Sequence, residues 1–314
     1  MSGPSSSSPA LYEVVAESAT GWARAGVRVT LSRAHARRPH PDAALEASAR
    51  HVFAERCAGN TMLFNGKKFR MAGATTLTAG CVEIHCAITD YASYLGTNWN
   101  PAFAGVDQVH LADPLGVGCV VVTVDDKICL IRRSEHVGEY PLCLDAPGGH
   151  PEPKNVEGCD SDAAWGERVV SGDAGGGGDG EADRVESEVM SASAVSLSER
   201  VVDEFFDSML QEIKDECGIP KSSLSDLVLM GIIRQNGASR GRPSLVFRVK
   251  CGLTSKQIVE LYPSAVEAFE TTSLEFRDLS TSLFKLREEE VAEMTPGCVA
   301  CIEMWQRSMA LQLQ

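Results

Sequence analysis

The sequence predicts an α+β protein, a β-sheet held between helices in an α/β/α sandwich with a smaller N-terminal α/β layer before it. Three observations carry this reading. Runs at 27–31, 69–79 and 81–88 alternate with period two, the pattern of strands that send successive side chains to opposite faces, and further runs at 116–124, 127–133, 227–234, 245–251 and 274–278 also read as strands. Residues 201–217 follow a different period: Val202, Phe206, Met209 and Ile213 fall on one helical stripe that stops at Gly218. The 314 residues suffice for two modest domains or one elaborated one.

Taken in order, residues 1–24 read as a flexible N-terminus, 25–112 as the N-terminal α/β subdomain and 113–314 as the main domain. Within the first layer, 42–57 reads as a helix after a basic stretch (Arg33, Arg37, Arg38) that ends in prolines. Two strands break at Ala79-Gly80, and 89–96 is a short helix capped by Thr89. In the main domain Asp125-Asp126 closes a hairpin. A third strand, 142–145, runs into Pro147-Gly148-Gly149. The strands at 227–234 and 245–251 flank Asn236-Gly237, and helices at 255–261, 283–294 and 296–313 complete the domain. Residues 154–199 differ in kind. They carry Gly175-Gly176-Gly177-Gly178 among Asp, Glu, Ser and Ala, too little apolar surface to offset the entropy of ordering. They are expected to form a disordered insertion, tolerated because loop closure costs little per added residue, with Trp165 as its bulky residue.

A net charge of −14 argues against a nucleic-acid partner, which needs a basic face. An anionic small molecule stays compatible, because local arginines and a metal reverse the field inside a cleft. The first nine residues are rich in Ser and Pro without an apolar core, and no run is long enough to span a membrane. A cytoplasmic protein is expected, with no membrane, nucleic-acid or obligate protein partner. Its eleven cysteines are then free thiols that mostly pack as small apolar groups. Cys298-x-x-Cys301 lacks a second pair and reads as core rather than a zinc half-site.

The chemistry concentrates in two places. Glu212, Asp215 and Glu216 occupy one helical turn at i, i+3 and i+4 and share a face. Carboxylates so close repel unless a cation sits among them, and an all-oxygen set suits Mg²⁺ or Mn²⁺. Upstream lies the Gly-rich turn Asp145-Ala146-Pro147-Gly148-Gly149-His150-Pro151-Glu152. A glycine turn followed by an acidic helix is the plan of a metal-dependent hydrolase of phosphate anhydrides. Arg132 and Arg133 end a strand beside that turn, and alternation sends one to the cleft and the other outward.

These residues resemble the Nudix box, G-x5-E-x7-R-E-U-x-E-E-x-G-U with U aliphatic. Gly149 matches its opening glycine, and Gln211 to Ile219 its second half, with Gln211 for Arg and Asp215 for Glu. The interval between the halves is far longer than the pattern's, and its first Glu has only Asp203 or Glu204 as a counterpart. Leu95-Gly96-Thr97-Asn98-Trp99, Leu111-Ala112-Asp113-Pro114-Leu115-Gly116-Val117-Gly118, Arg132-Arg133-Ser134 and Pro147-Gly148-Gly149-His150-Pro151-Glu152-Pro153 are similar to the atypical branch of that family that hydrolyses UDP-glucose and UDP-galactose.

The resemblance implies a Nudix-type α/β/α sandwich and a Mg²⁺-dependent UDP-sugar diphosphatase. By the same resemblance Glu212, Glu216 and Asp215 are metal ligands, and Glu152 orients or deprotonates water. Arg133 takes the diphosphate, Gly138 offers backbone contacts, and Asp145 and His150 approach the sugar and phosphates. Phe64 and Tyr91 stand at the aromatic positions expected to meet uracil. At Thr295-Pro296-Gly297 the chain has Gly where animal members of the branch carry Ser, so Gly297 offers no side-chain contact. Two other readings stay open: hydrolysis of another nucleoside diphosphate derivative such as ADP-ribose, and a nucleotide-sugar binding module with weak catalysis.

Overall fold

Two β-sheets and six α-helices organise the described residues of the computed structural model, which are 10–59, 64–77, 80–159, 182–265, 271–279 and 286–312. The larger sheet runs in the order β1 (Tyr12–Trp22), β9 (Val228–Gln235), β10 (Arg242–Lys250), β5 (Gly116–Val122), β6 (Lys127–Arg133), β11 (Thr271–Asp278). Two short strands lie beside this path: β7 (Leu144–Asp145) pairs with β6, and β8 (Gly148–Gly149) with β5. The β5–β10 pairing is parallel and the other pairings of this sheet are antiparallel. A smaller sheet, β2 (Val27–Leu31), β4 (Cys81–Asp90), β3 (Lys67–Leu77), belongs to the N-terminal layer.

Alternation along β5 sets the layers. Val117, Cys119 and Val121 join a core with Val201, Phe205, Met209 and Ile213 of α3 (Ala182–Cys217) and with Phe69 and Ile84 of the smaller sheet. Val120, from the opposite face, packs with Cys298, Val299 and Ile302 of α6 (Pro296–Gln312). The larger sheet therefore lies between α3 and α6, the expected sandwich. Edge-on ring pairs, Phe206 on Phe247 at 5.0 Å and Phe69 on Phe205 at 5.2 Å, lock α3 to both sheets. Each such buried side chain contributes roughly 1.5–3 kcal/mol. Gly218, at φ +72°, ends α3 in a conformation that other residues adopt at a cost.

The recurrent Asn and Asp of the two long motifs turn out to hold the layers together. Asp113, fully buried at φ +45°, accepts hydrogen bonds from Asn98 Nδ2 (3.0 Å), Gln108 Nε2 (2.5 Å) and Arg234 Nη1 (3.0 Å), with Arg70 at 3.9 Å. Burial raises its pKa, and the Arg234 charge and the Asn98 bond oppose that rise. One carboxylate thus joins β3, β9 and the segment behind α2 (Tyr91–Gly96).

Four expectations need correction. Residues 12–22 are not a flexible tail but β1, because Ala16 and Trp22 bury against the core and the backbone pairs with β9. The N-terminal segment therefore belongs to the sheet of the main domain. Asp90, not Thr89, caps α2, accepting the Ser93 N–H at 2.8 Å. The insertion is narrower than 154–199: Pro153–Asn155 forms a 3₁₀ turn and α3 extends back to Ala182, since adding turns to an anchored helix costs far less than starting one. Residues 160–181, Trp165 among them, lie outside the described residues. Of the helix expected at 283–294, the described part is α5 (Glu288–Ala292). The helices at 42–57 and 255–261 are α1 (Ala43–Gly59) and α4 (Ser255–Leu261).

Candidate active site

Strands β5 and β6 pair only at Val121↔Cys129 and Val122↔Ile128, then diverge. The wedge between them is filled by one bend. β8 pairs with β5 (Val117↔Gly149, Gly118↔Gly148), β7 with β6 (Ile131↔Asp145, Arg132↔Leu144), and Ala146-Pro147 joins the two. A cavity of about 460 Å³ opens there, lined by Gly148, Gly149, His150, Arg133, Asp145 and Glu216, among others. A second cavity of about 300 Å³, lined by Phe64, Lys68 and Tyr94, adjoins it through Tyr91, Glu139 and His150, which face both.

The bend has room for glycine alone. A Cβ at Gly148 would stand 2.3 Å from the Val117 carbonyl oxygen, and one at Gly149 would stand 2.0 Å from Glu212 Oε1. Glu212 therefore lies against the Gly149 backbone. Glu216, one turn on and 3% exposed, accepts the Gly148 N–H at 2.9 Å. Burial, and then the Glu212 charge, push the Glu216 pKa well above the carboxylate range, against the pull of the Gly148 bond. Asp215 accepts from the Gln211 amide at 2.7 Å, and of the three acids only Glu216 is among the residues lining the cavity. The residue replacing the box arginine thus holds one oxygen of the expected third ligand. Among the described residues, no group of three or more His, Cys, Asp or Glu side chains gathers as a ready metal cage.

Glu152 lies among lysines. It pairs with Lys68 at 2.7 Å and with Lys154, and does not line the larger cavity. Burial works to raise its pKa, but the Lys154 and Lys68 bonds outweigh it and hold the group ionised. Glu204 supports the same turn, accepting the Glu152 N–H and Asn155 Nδ2, each at 2.9 Å. Asp203, the other candidate for the missing box Glu, pairs with Arg24 at the surface.

The arginines divide as alternation requires. Arg132 pairs with Glu275, whereas Arg133 lines the cavity, donating to the Glu139 carbonyl (3.1 Å) and to Asp145 Oδ2 (3.3 Å). Asp145 also accepts from Thr295 Oγ1 at 2.6 Å, and burial raises its pKa despite Arg133. His150 is pushed well below the usual imidazole pKa by burial, then by Arg242, Lys68 and Arg133, so it is neutral at physiological pH. Gly138 and Gly297 line the larger cavity. Phe64 is exposed, as a platform for a flat ring would be, and Tyr91 sits between the cavities.

Sequence reasoning missed Glu139 and Arg242. Glu139 accepts from Tyr94 OH (2.7 Å), Trp99 Nε1 (3.2 Å) and Arg242 Nη1 (3.1 Å), fastening the cavity's outer loop to the N-terminal layer. Neither residue sits in a recognisable spacing. Only the strand register, Arg242 opposite Gln235, brings Arg242 to the site.

Comparison with known proteins gives the family. Nudix hydrolase 9 of Arabidopsis thaliana is 34% identical over 303 residues, covering 91% of this chain and 87% of that protein. The chain belongs to the Nudix hydrolase family. Uridine diphosphate glucose pyrophosphatase NUDT22 is 34% identical in Homo sapiens, over 90% of this chain and 87% of that one. In Bos taurus it is 36% identical, over 90% and 91% respectively. A solved NUDIX hydrolase from Nitrosomonas europaea is 17% identical with a TM-score of 0.32, over 61% of this chain and 86% of that one. No family model matches the chain.

This Nudix hydrolase thus acts on diphosphate bonds, in a family that generally uses divalent metal ions. Its donor set fits one: two neighbouring carboxylates, one of them buried and repelled by the other, face a bend whose glycines let the backbone come close. No described helix is long and apolar enough to cross a membrane.

Proposed function

We propose that this Nudix hydrolase cleaves the diphosphate of UDP-glucose and UDP-galactose, releasing UMP and a sugar 1-phosphate with Mg²⁺. The observation that carries this is the agreement of two independent facts. Relatives named for hydrolysing uridine diphosphate glucose align over about nine-tenths of the chain. The site itself has two joined cavities, one aromatic and one charged, as a nucleoside linked to a diphosphate requires.

In this reading Phe64 and Tyr91 hold the uracil ring by stacking. Arg133 forks to the diphosphate, and Gly138 offers it backbone contacts. Neutral His150 donates a hydrogen bond to a phosphate oxygen without adding charge, and Asp145 accepts from sugar hydroxyls. Glu212 and Glu216 hold the cation, Mg²⁺ with Mn²⁺ as a substitute. When bound, that ion neutralises phosphate charge and activates water. Glu152 acts through Lys68, keeping the ammonium at the rim of the smaller cavity. Loose phosphoryl transition states leave positioning and charge neutralisation as the main tasks of these side chains. The eleven cysteines, read as thiols, support a reducing, cytoplasmic setting.

The test is a substrate panel of UDP-glucose, UDP-galactose, ADP-ribose and dinucleoside polyphosphates, with products followed in ¹⁸O-water. UMP and sugar 1-phosphate from the UDP-sugars, at the highest kcat/KM of the panel, is the expected result. Preference for ADP-ribose would move the substrate assignment elsewhere. A rise in Tm with UDP-glucose but no turnover would make the protein a binding module.

A further inference from the structure

Arg242 is the cationic side chain of the cavity that the proposed mechanism leaves unused. It enters from the first residue of β10, with its side chain about 15% exposed. Nη1 donates to Glu139 at 3.1 Å and lies 3.5 Å from His150 Nε2, while Nη2 reaches Gln235 Oε1 at 3.3 Å. Its Nε–H has no hydrogen-bond partner among the described residues. That nitrogen is sealed from solvent, so the donors an anion can meet are Nη1 and Nη2 of a side chain that lines the cavity.

The charges around it say which anion. Arg133 is matched by Asp145 and Arg242 by Glu139, so each arginine arrives paired rather than as a bare cation. They come from different strands, Arg133 at the end of β6 and Arg242 at the start of β10; both line the cavity and both reach Glu139, one at its carbonyl and the other at its carboxylate. A single phosphate can be met by one fork. Two phosphates joined by an oxygen present acceptors to both forks.

We propose that Arg242 is a specificity-determining residue, which with Arg133 clamps a diphosphate between two guanidinium forks and so selects diphosphates over monophosphates. The inference rests on the phosphate-binding part of the function proposed above and needs no particular nucleoside. On binding, no covalent bond changes: the guanidinium turns part of its fork from Glu139 and Gln235 to phosphate oxygen, and Glu139 keeps the Tyr94 and Trp99 hydrogen bonds. The clamp also favours product release, because UMP, with one phosphate, engages one of the two forks.

The experiment titrates the full-length protein and its Arg242→Lys variant with methylenediphosphonate, UDP and UMP, in Mg²⁺, by calorimetry. Lysine keeps the charge and loses the fork. Affinity for methylenediphosphonate and UDP is expected to fall by about tenfold or more, the size of a lost charge-assisted hydrogen bond, while UMP affinity is unchanged. Unchanged methylenediphosphonate affinity would overturn the proposal, as would an equal loss for all three ligands, which a merely structural role would give. Glu139→Gln guards against a variant that fails to fold. It retains an acceptor for Tyr94 and Trp99 and frees Arg242, so methylenediphosphonate should bind at least as tightly, and weaker binding would also overturn the clamp. The nucleoside assignment fails separately, if UDP binds no better than methylenediphosphonate.

Discussion

Gly148 donates its backbone N–H to the Glu216 carboxylate across 2.9 Å, so the bend between β7 and β8 is fastened to helix α3 through a buried acid. Glu216→Gln keeps an acceptor for that N–H and removes the charge. Turnover of UDP-glucose should fall ~100-fold or more. The sign for stability is the reverse. Because burial and Glu212 raise the Glu216 pKa in the folded state, its ionisation works against folding above the ordinary Glu pKa. The variant's Tm in metal-free buffer at pH 7.5 should therefore be no lower than the parent's. A stable variant with full activity would remove Glu216 from the reaction.

Gly149→Ala tests the neighbouring contact. The added Cβ would meet the Glu212 carboxylate 2.0 Å away, and the side chain must swing off the bend. Such overpacking costs about 1–3 kcal/mol, leaving the protein folded by circular dichroism. Metal affinity, followed by Mn²⁺ titration, should drop together with kcat.

Arg132 and Arg133 differ in direction, not in chemistry. Arg133→Ala should raise KM for UDP-glucose strongly, because the cavity loses a donor to phosphate. Arg132→Ala, which severs a surface pair with Glu275, should leave KM unchanged and shift stability by less than about 1 kcal/mol. Equal kinetics in the two variants would contradict the register of β6.

Asp113→Ala strands Arg234 and Arg70 inside the protein. Breaking a buried network in this way costs about 3 to 5 kcal/mol. Denaturant unfolding should show the loss, without selective change in KM for any one substrate in the folded fraction.

Asp125 predicts part of the acid sensitivity. Burial works upward on its pKa, but bonds from Ser255 outweigh it and hold the group at about 2. The folded value is depressed, so its contribution is complete above the ordinary carboxylate pKa and disappears as pH falls toward about 2. Asp125→Asn should lower Tm at pH 6 and narrow the difference from the parent as the pH approaches 2, read by thermal melts across that range.

The larger architecture was legible because strands and the amphipathic helix announce themselves by period: Val202, Phe206, Met209 and Ile213 are all buried where one stripe requires. The Glu212–Gly149 and Glu216–Gly148 contacts join the two motifs that the resemblance singled out. Asp215 and Glu152 meet partners that the motif does not reveal, Gln211 for one and two lysines for the other. Identity of a residue says what it can bind, and only packing says which neighbour it meets first. Arg242 and Glu139 were illegible for a related reason. Their meeting depends on sheet register and on a loop with left-handed residues at Tyr140 and Leu142, neither of which leaves a short-range pattern.

The N-terminal strand has a practical consequence. β1 covers the outer side of β9, whose other side already pairs with β10. Removing residues 10–22 would strip that cover and leave β9 as a bare, apolar border. Truncated preparations should then self-associate through it, so recombinant work on this enzyme is best done with residues 10–22 retained and with affinity tags placed away from them.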